Sequence, residues 1–497
     1  MKTKITVKRI LLIILIVASG NLMAQNNLSF YHMGKGIPQG GNYNPAYFPD
    51  ARVFVSLPGI SGIDLSVNNS FSISDIFTET GDSTLIDIGK FLGTQQKKKS
   101  FLNVDLDVTD LMIGFRVGEN MHFSLFVNDK FDFTFFYPID LMNFVWKGNA
   151  AYVGQNFVAD QMGYTTTHYR EYGVGYGQTF NILDRPTTIG ARFKYLNGML
   201  HNSTQNFSVS ILTDEADYSL TASFNEAQIR SVAFSQLTDD EEEEFDESYF
   251  IFNENAGFGL DLGARMQFSE KLGLGAAVND LGFINWKQHA ELINFKGTSF
   301  TYSGIDLDDP DSFGQAIEDS LKNLEPDTVA ATFTTKLNAR TYFSADYQVT
   351  PKGQAQATIA NYMTQGRIKT SIGLGYTQQV GRWFTASATG SYVPQQGVDL
   401  GLGMMFRLST FQLYVAADNI FNTIDVPNAS AANINFGINF LFGRAEKKNK
   451  KKVTPPVTPA PPAQAEPSEE AMKVTPAAEP EEEEDYSDYE HLWKKRK

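Results

Sequence analysis

The sequence contains no cysteine. Disulfides, thiolate metal sites, cysteine nucleophiles and lipid-modified cysteines are therefore all excluded. Long apolar runs are missing as well. Beyond the N-terminus nothing approaches the ~20 apolar residues that a spanning helix needs, and mean hydropathy is −0.25. Positive charge is scarce: 41 Lys and Arg stand against 57 Asp and Glu, a formal charge of −16. Phosphate repels so acidic a chain, which excludes nucleic acid as a partner. The few histidines (His32, His122, His168, His201, His289, His491) show no metal-ligand or metalloprotease spacing. No Gly-x-Ser-x-Gly elbow and no phosphate-binding loop occur. The expectation is a protein without metal or cofactor that is not an enzyme.

What the chain has is alternation. In Asn433–Phe442, Ile434, Phe436, Ile438, Phe440 and Phe442 share one face; Asn433, Asn435, Gly437 and Asn439 share the other, and Leu441 breaks the pattern. Period 2 means a strand with one apolar and one polar face. The pattern recurs over 257–268, 367–379 and 397–408, with glycine repeatedly on the polar face. Glycine there implies that something packs close against an inner wall. Aromatics at 13% and 40 glycines suit a lipid-facing girdle around a packed lumen. The fold class expected is all-β: a transmembrane antiparallel β-barrel of about 14 strands, with 12 to 16 tolerated for an even-stranded barrel.

The N-terminus agrees with that address. Lys2, Lys4, Lys8 and Arg9 precede an apolar run, Ile10–Val17, and then Ala18-Ser19-Gly20. This reads as a signal peptide over 1–24, cut after Ala24. The final strand, ending in Phe436, Phe440 and Phe442, resembles the C-terminal signal by which barrels are handed to the barrel-assembly machinery. With Phe442 at the periplasm, the turns at Ser409-Thr410 and Gln379–Gly381 are periplasmic and Asn419–Ala432 is an extracellular loop. Asp140–Asn149 and Phe313–Leu324 read as helices. From Glu446 onward come 8 of the 19 prolines, a basic run at Lys447–Lys452 and an acidic run at Glu481–Asp485. Such a segment cannot bury a core, so 444–497 is expected to be a disordered periplasmic tail. Its tip, with Tyr486, Tyr489, Leu492 and Trp493, is either a short motif for a periplasmic partner or a plain solvated end.

Asn44-Pro45-Ala46, inside GGNYNPAYFP near the mature N-terminus, resembles the long-chain fatty-acid transporter superfamily of outer-membrane barrels. Together with DLGFINW at Asp280–Trp286 after a glycine-rich hairpin, the chain resembles a Bacteroidota barrel family classed as a domain of unknown function, over about residues 26–443. The resemblance implies that Asn44, Pro45 and Ala46 belong to a hatch folded inside the barrel. The hatch is expected over 25–60 and the barrel over 61–443. Pro38, Pro45, Pro49 and Pro58 oppose ladder pairing, which fits a plug or an exposed leader to the first strand.

Ionisable residues in the inward phase are Asp261, Arg265, Arg367, Lys369, Asp399 and Arg407. They either anchor the plug or line a transit path; in both cases they avoid lipid. Asp306–Asp311 reads as a helix cap rather than a calcium site, since the EF-hand glycine and glutamate are missing; Asp239–Glu247 reads as a solvated loop, its like charges repelling one another. The function expected is a hatch-gated outer-membrane channel for small hydrophobic molecules. The alternative is a non-transporting scaffold whose tail recruits a secretion or envelope partner.

Overall fold

The computed structural model describes residues 27–443 except 71–74, 76, 81–82, 95–99, 161, 235–246, 296–298, 303–326, 365–366, 394–396 and 421–430. The expected signal peptide, the tail with its tip residues, the helix at Phe313–Leu324, both acidic clusters apart from Glu247, and most of the Asn419–Ala432 loop lie outside the described residues.

Residues that alternate in sequence alternate in space. The strands are β1 (Val53–Ser56, resumed as Ile63–Asn69), β2 (Ser100–Val117), β3 (Met121–Tyr137), β4 (Gly163–Ile182) and β5 (Arg185–Thr213). Then follow β6 (Ala256–Gln267), β7 (Leu272–Trp286), β8 (Phe333–Lys336, resumed as Arg340–Thr350), β9 (Gly353–Thr364) and β10 (Arg367–Val380). The last four are β11 (Phe384–Val393), β12 (Gly397–Leu408), β13 (Phe411–Asp418) and β14 (Ala431–Phe442). Each pairs antiparallel with its neighbours in chain order, and β1 pairs with both β14 and β2, closing a barrel of fourteen strands. Closure leaves no ladder edge, which is what hydrocarbon requires of a sheet.

The outer surface is apolar. Leu374 is 66% exposed and Phe258 63%; side chains of that size standing free along a whole barrel wall face lipid. The lumen is polar and filled. This is the construction of an outer-membrane β-barrel. In β14 the inward set is Ala431, Asn433, Asn435, Gly437, Asn439 and Leu441. Leu441 thus keeps the strand's phase: it faces inward into a small apolar cluster with Ala51, Phe54, Met112 and Phe126.

Tight turns gather at one end. They include Leu183-Asp184, both with positive φ as a two-residue hairpin turn demands, and Ser409-Thr410. The opposite end carries the longer excursions: a helix at Ile139–Lys147, which matches the expected one, and an extension of the barrel's own sheet. In that sheet Leu220–Val232 lies between the far half of β5 and the strands Ala290–Asn294 and Ser299–Tyr302.

Two features depart from the expected map. The barrel begins at Val53, not at 61. Val53–Ser56 already pairs with β14 and β2, and Leu57–Gly62, with Pro58 and Gly59 (φ 79), only interrupts that first strand. Pro58 therefore belongs to the wall. In β7, Asp280 adopts φ 61 at a bulge opposite Asp261, and this brings both Asn279 and Asp280 inward.

A lipid-facing cation should be poorly tolerated. Leu374→Arg is expected to cost about 2–4 kcal/mol if the site lies near the bilayer midplane, read from reversible unfolding in liposomes. Thr377→Arg, in the inward phase, should cost less.

Candidate functional site

Residues 27–50 thread the lumen. They start as a helix, α1 (Leu28–Met33), whose six residues are all buried. Short 3-10 turns follow at Gly34–Gly36 and Pro38–Asn42. Prolines at 38, 45 and 49 keep this stretch from joining the sheet. Its centre is aromatic. Tyr31 stacks on Tyr342 with ring centroids 4.8 Å apart, and Phe30 packs against Tyr43 (5.1 Å) and Tyr414 (5.3 Å).

A coiled segment in a closed space must find partners for its backbone. The strands supply them. Gln356 donates to the His32 carbonyl (3.0 Å), Gln412 to Gly36 (2.8 Å), Arg192 to Gly41 (3.0 Å), Asn279 to Tyr43 (2.8 Å) and Arg407 to Asp50 (2.8 Å). Gln39 and Asn439 exchange two side-chain bonds, at 2.9 and 3.0 Å. Ser29 donates its N–H (3.1 Å) and hydroxyl (2.5 Å) to Asp418. Lys35 meets Asp346 at 2.6 Å.

The expected triplet lies in this path. Asn44 is fully buried; its Oδ1 accepts the Ala46 N–H (2.9 Å) and its Nδ2 donates to Ala264 O (3.4 Å). Pro45 runs so close to β5 and β6 that a Cβ at Gly190 or Gly263 would strike it. The same holds along the segment: a Cβ at Gly373 would strike Leu28, one at Gly375 the His32 ring and one at Gly401 the Ser29 hydroxyl.

The inward charges are distributed unevenly. Asp261 joins a buried cluster in which Lys194 contacts Asp280 (2.6 Å), Asp261 (2.9 Å) and Glu171 (3.1 Å). Arg265 meets Asp346 at 3.1 Å, beside Lys35. Arg407 holds Asp50, as given above. Lys369 lies over the Phe101 ring at 5.1 Å, and Asp399 is half-buried. The Arg367 side chain lies outside the described residues. On β14, Phe436 and Phe442 face outward and Phe440 shares their face, 6.1 Å from Phe411. The sequence reading missed Glu171, Arg192, Lys194 and Asp346, and took Asp280 only as the start of the DLGFINW motif. Arg192 and Lys194 alternate with Gly190, so the glycine phase could have found them.

Above the segment, toward the long-loop end, lies a cavity of about 1110 Å³ with a charged floor that includes Asp107, Lys130, Asp132, Asp280 and Arg340. An apolar hollow of about 670 Å³ on the outer wall is lined by Phe193, Phe258, Leu260, Leu281 and Phe283. The two share Leu281, Gly282, Thr334 and Lys336, beside the β7 bulge and the β8 interruption.

A family model described as a family of unknown function, DUF5723, matches residues 45–418. The chain belongs to that family. No curated protein sequence matches it. Solved structures similar to this DUF5723 barrel include the P. putida toluene transporter TodX, 10% identical over 82% of this chain and 95% of that one, with a TM-score of 0.39. A Pseudomonas aeruginosa FadL homologue is 13% identical over 85% of this chain and 100% of that one, with a TM-score of 0.41. The translocator domain of the autotransporter NalP from Neisseria meningitidis is 10% identical over 83% and 94%, with a TM-score of 0.31.

Two outcomes test how the segment is seated. Gly375→Val drives a side chain into His32 and should destabilise the DUF5723 barrel by about 1–3 kcal/mol in denaturant unfolding. His32 sits between the Thr389 and Thr358 hydroxyls, each at 3.0 Å. Burial, reinforced by Lys35, pushes its pKa from 6.5 down to about 3. A folded value below the unfolded one means that the stability His32 contributes is complete above about pH 6.5 and is lost as pH falls toward 3. Proteolysis within 27–50 should therefore accelerate on acidification, and His32→Gln should flatten that dependence.

Proposed function

We propose that this outer-membrane barrel is a channel gated by its N-terminal segment, which acts as a hatch, and that it moves small hydrophobic molecules. The observation that carries the reading is the shared wall between the cavity above the hatch and the apolar hollow outside. A molecule entering from the long-loop end meets a filled lumen below it. Beside it lies a wall weakened by a bulge and a strand interruption, with an apolar surface beyond. Exit sideways into the bilayer suits a hydrophobic cargo, and binding rather than covalent chemistry carries the mechanism. In this reading the long-loop end is extracellular, the tight turns are periplasmic, and the tail after residue 443 lies in the periplasm.

The extent of hatch bonding favours a second reading. A lumen filled this thoroughly fits a non-transporting scaffold, with Tyr486, Tyr489, Leu492 and Trp493 engaging a periplasmic protein.

The readings separate in planar bilayers and in uptake assays. Deleting 27–50, which spares β1, should open a steady conductance. Leu281→Trp, which narrows the hollow, should cut uptake of a radiolabelled short-chain alkane about tenfold, a barrier change of about 1.4 kcal/mol, while leaving conductance closed. Deleting 446–497 should leave uptake intact. If the intact protein takes up no alkane and only tail deletion has a phenotype, the scaffold reading stands and the channel reading fails.

A further inference from the structure

Where the threaded segment begins, the floor of the large cavity leads to a pocket of about 30 Å³ lined by Asn27, Asp64, Ser66, Asp105, Asp107 and Arg340. Asp105, Asp107 and Arg340 line both spaces. The strand register builds the pocket. Asp64 lies opposite Asp107, and Ser66 opposite Asp105, across β1 and β2; Asp105 lies opposite Asp132 across β2 and β3. Like charges placed directly across a ladder oppose its stability. Asp107 is offset by Lys130 at 2.7 Å and Arg340 at 3.6 Å. Asp64 takes its hydrogen bonds from neutral donors: Tyr43 (2.6 Å), Asn433 (2.9 Å) and Asn27. Around the small pocket three carboxylates therefore meet two cations, Arg340 and the Lys130 that reaches Asp107.

An independent feature points the same way. Asn27 is 95% buried by its 5% exposure, and its Oδ1 has no hydrogen-bond partner. A buried acceptor left unmatched is costly unless a donor reaches it. The pocket thus presents acceptors, excess negative charge and room for one water-sized group. Among the described residues no three carboxylates or histidines are grouped to hold a metal ion. A cation that brings its own N–H donors fits these acceptors.

We infer that this pocket binds a primary ammonium group. Its three N–H donors address Asp64, Asp105 and the Asn27 Oδ1, and its charge offsets the carboxylate excess. The ammonium has two sources. Cleavage after Ala24 leaves an α-ammonium on Gln25, two residues from Asn27. A small organic amine can instead enter from the large cavity. The site functions in either case whether or not the barrel conducts.

The test uses full-length protein processed in cells and purified from outer membranes, with Asp64→Asn and Asp105→Asn beside it. Heat-modifiable migration confirms that each variant folds. Peptide mass analysis reads the first residue and its acylation rate by acetic anhydride, and calorimetry titrates n-propylammonium chloride against uncharged n-propanol. An α-ammonium occupant gives Gln25 as the first residue, an amine protected about tenfold or more in the parent and released in both variants, and no heat from propylammonium. An amine from outside gives propylammonium binding that both variants weaken about tenfold, with propanol silent. An α-amine that acylates at one rate in all three proteins, or a Gln25 cyclised to neutral pyroglutamate, together with no propylammonium binding, overturns the assignment.

Discussion

The structure depends on one constraint: a polypeptide coil confined in a closed barrel must have its backbone groups satisfied by the wall. The segment 27–50 has prolines at 38, 45 and 49 and lies outside the sheet ladder, so its carbonyls turn to side chains. Five of them accept from Gln356, Gln412, Arg192, Asn279 and Arg407. These donors come from β9, β13, β5, β7 and β12, so the bonds span much of the circumference. A side chain long enough to reach the axis works only where its neighbours stay small. That accounts for the inward glycines beside α1 and Pro45, where a Cβ would strike the segment. Long amides and bare glycine are two parts of one packing solution.

The ion pairs follow from the same confinement. Lys194 meets three carboxylates where water is excluded, and Lys35 and Arg265 converge on Asp346. Buried charges of this kind give little net stability, because desolvation offsets attraction. Their value here is positional. Removing one partner leaves a charge stranded, so the cluster fixes β4 to β7 in register. Lys35 to Asp346 pins the segment to β8 with a bond that a shifted segment cannot make.

The strands were legible because period 2 survives wherever one face meets lipid and the other does not. Asn433–Phe442 and Gly397–Leu408 carried the fold almost alone. Glycine in the inward phase pointed to a close-packed filler, and the structure places residues 27–50 there. What escaped was whatever depends on pairing. Leu57–Gly62 reads as loop from sequence because Pro58 and Gly59 disfavour a ladder, yet flanking strands on both sides carry the wall across the gap. The Asp280 bulge reverses the strand's phase and becomes visible only against Asp261. The pocket acids were nearer to hand. Asn103, Asp105 and Asp107 alternate with Leu102, Val104 and Leu106 in β2, an inward polar row with two acids that the pattern held. Its meaning needed Asp64 and Asp132 from neighbouring strands.

The seating of the segment also bears on how anything could pass. Withdrawing it whole would break the five carbonyl bonds, the Gln39–Asn439 exchange, the Ser29–Asp418 contacts and the Lys35–Asp346 pair. At roughly 1 kcal/mol net per neutral bond and more for charged ones, that sum rivals the stability of a whole domain. The wall beside the large cavity is held by ladder bonds with two local gaps. Between Leu260 and Leu262 the β6–β7 ladder already skips a register, and β8 is interrupted between Lys336 and Arg340. On either side of those two gaps the ladder is complete: Gly257–Leu260 pairs with Leu281–Ile284, and Phe333–Lys336 with Phe283–Trp286. The seating bonds weigh against withdrawal of the whole segment, while the register skip and the β8 interruption mark where this stretch of wall has fewest ladder bonds.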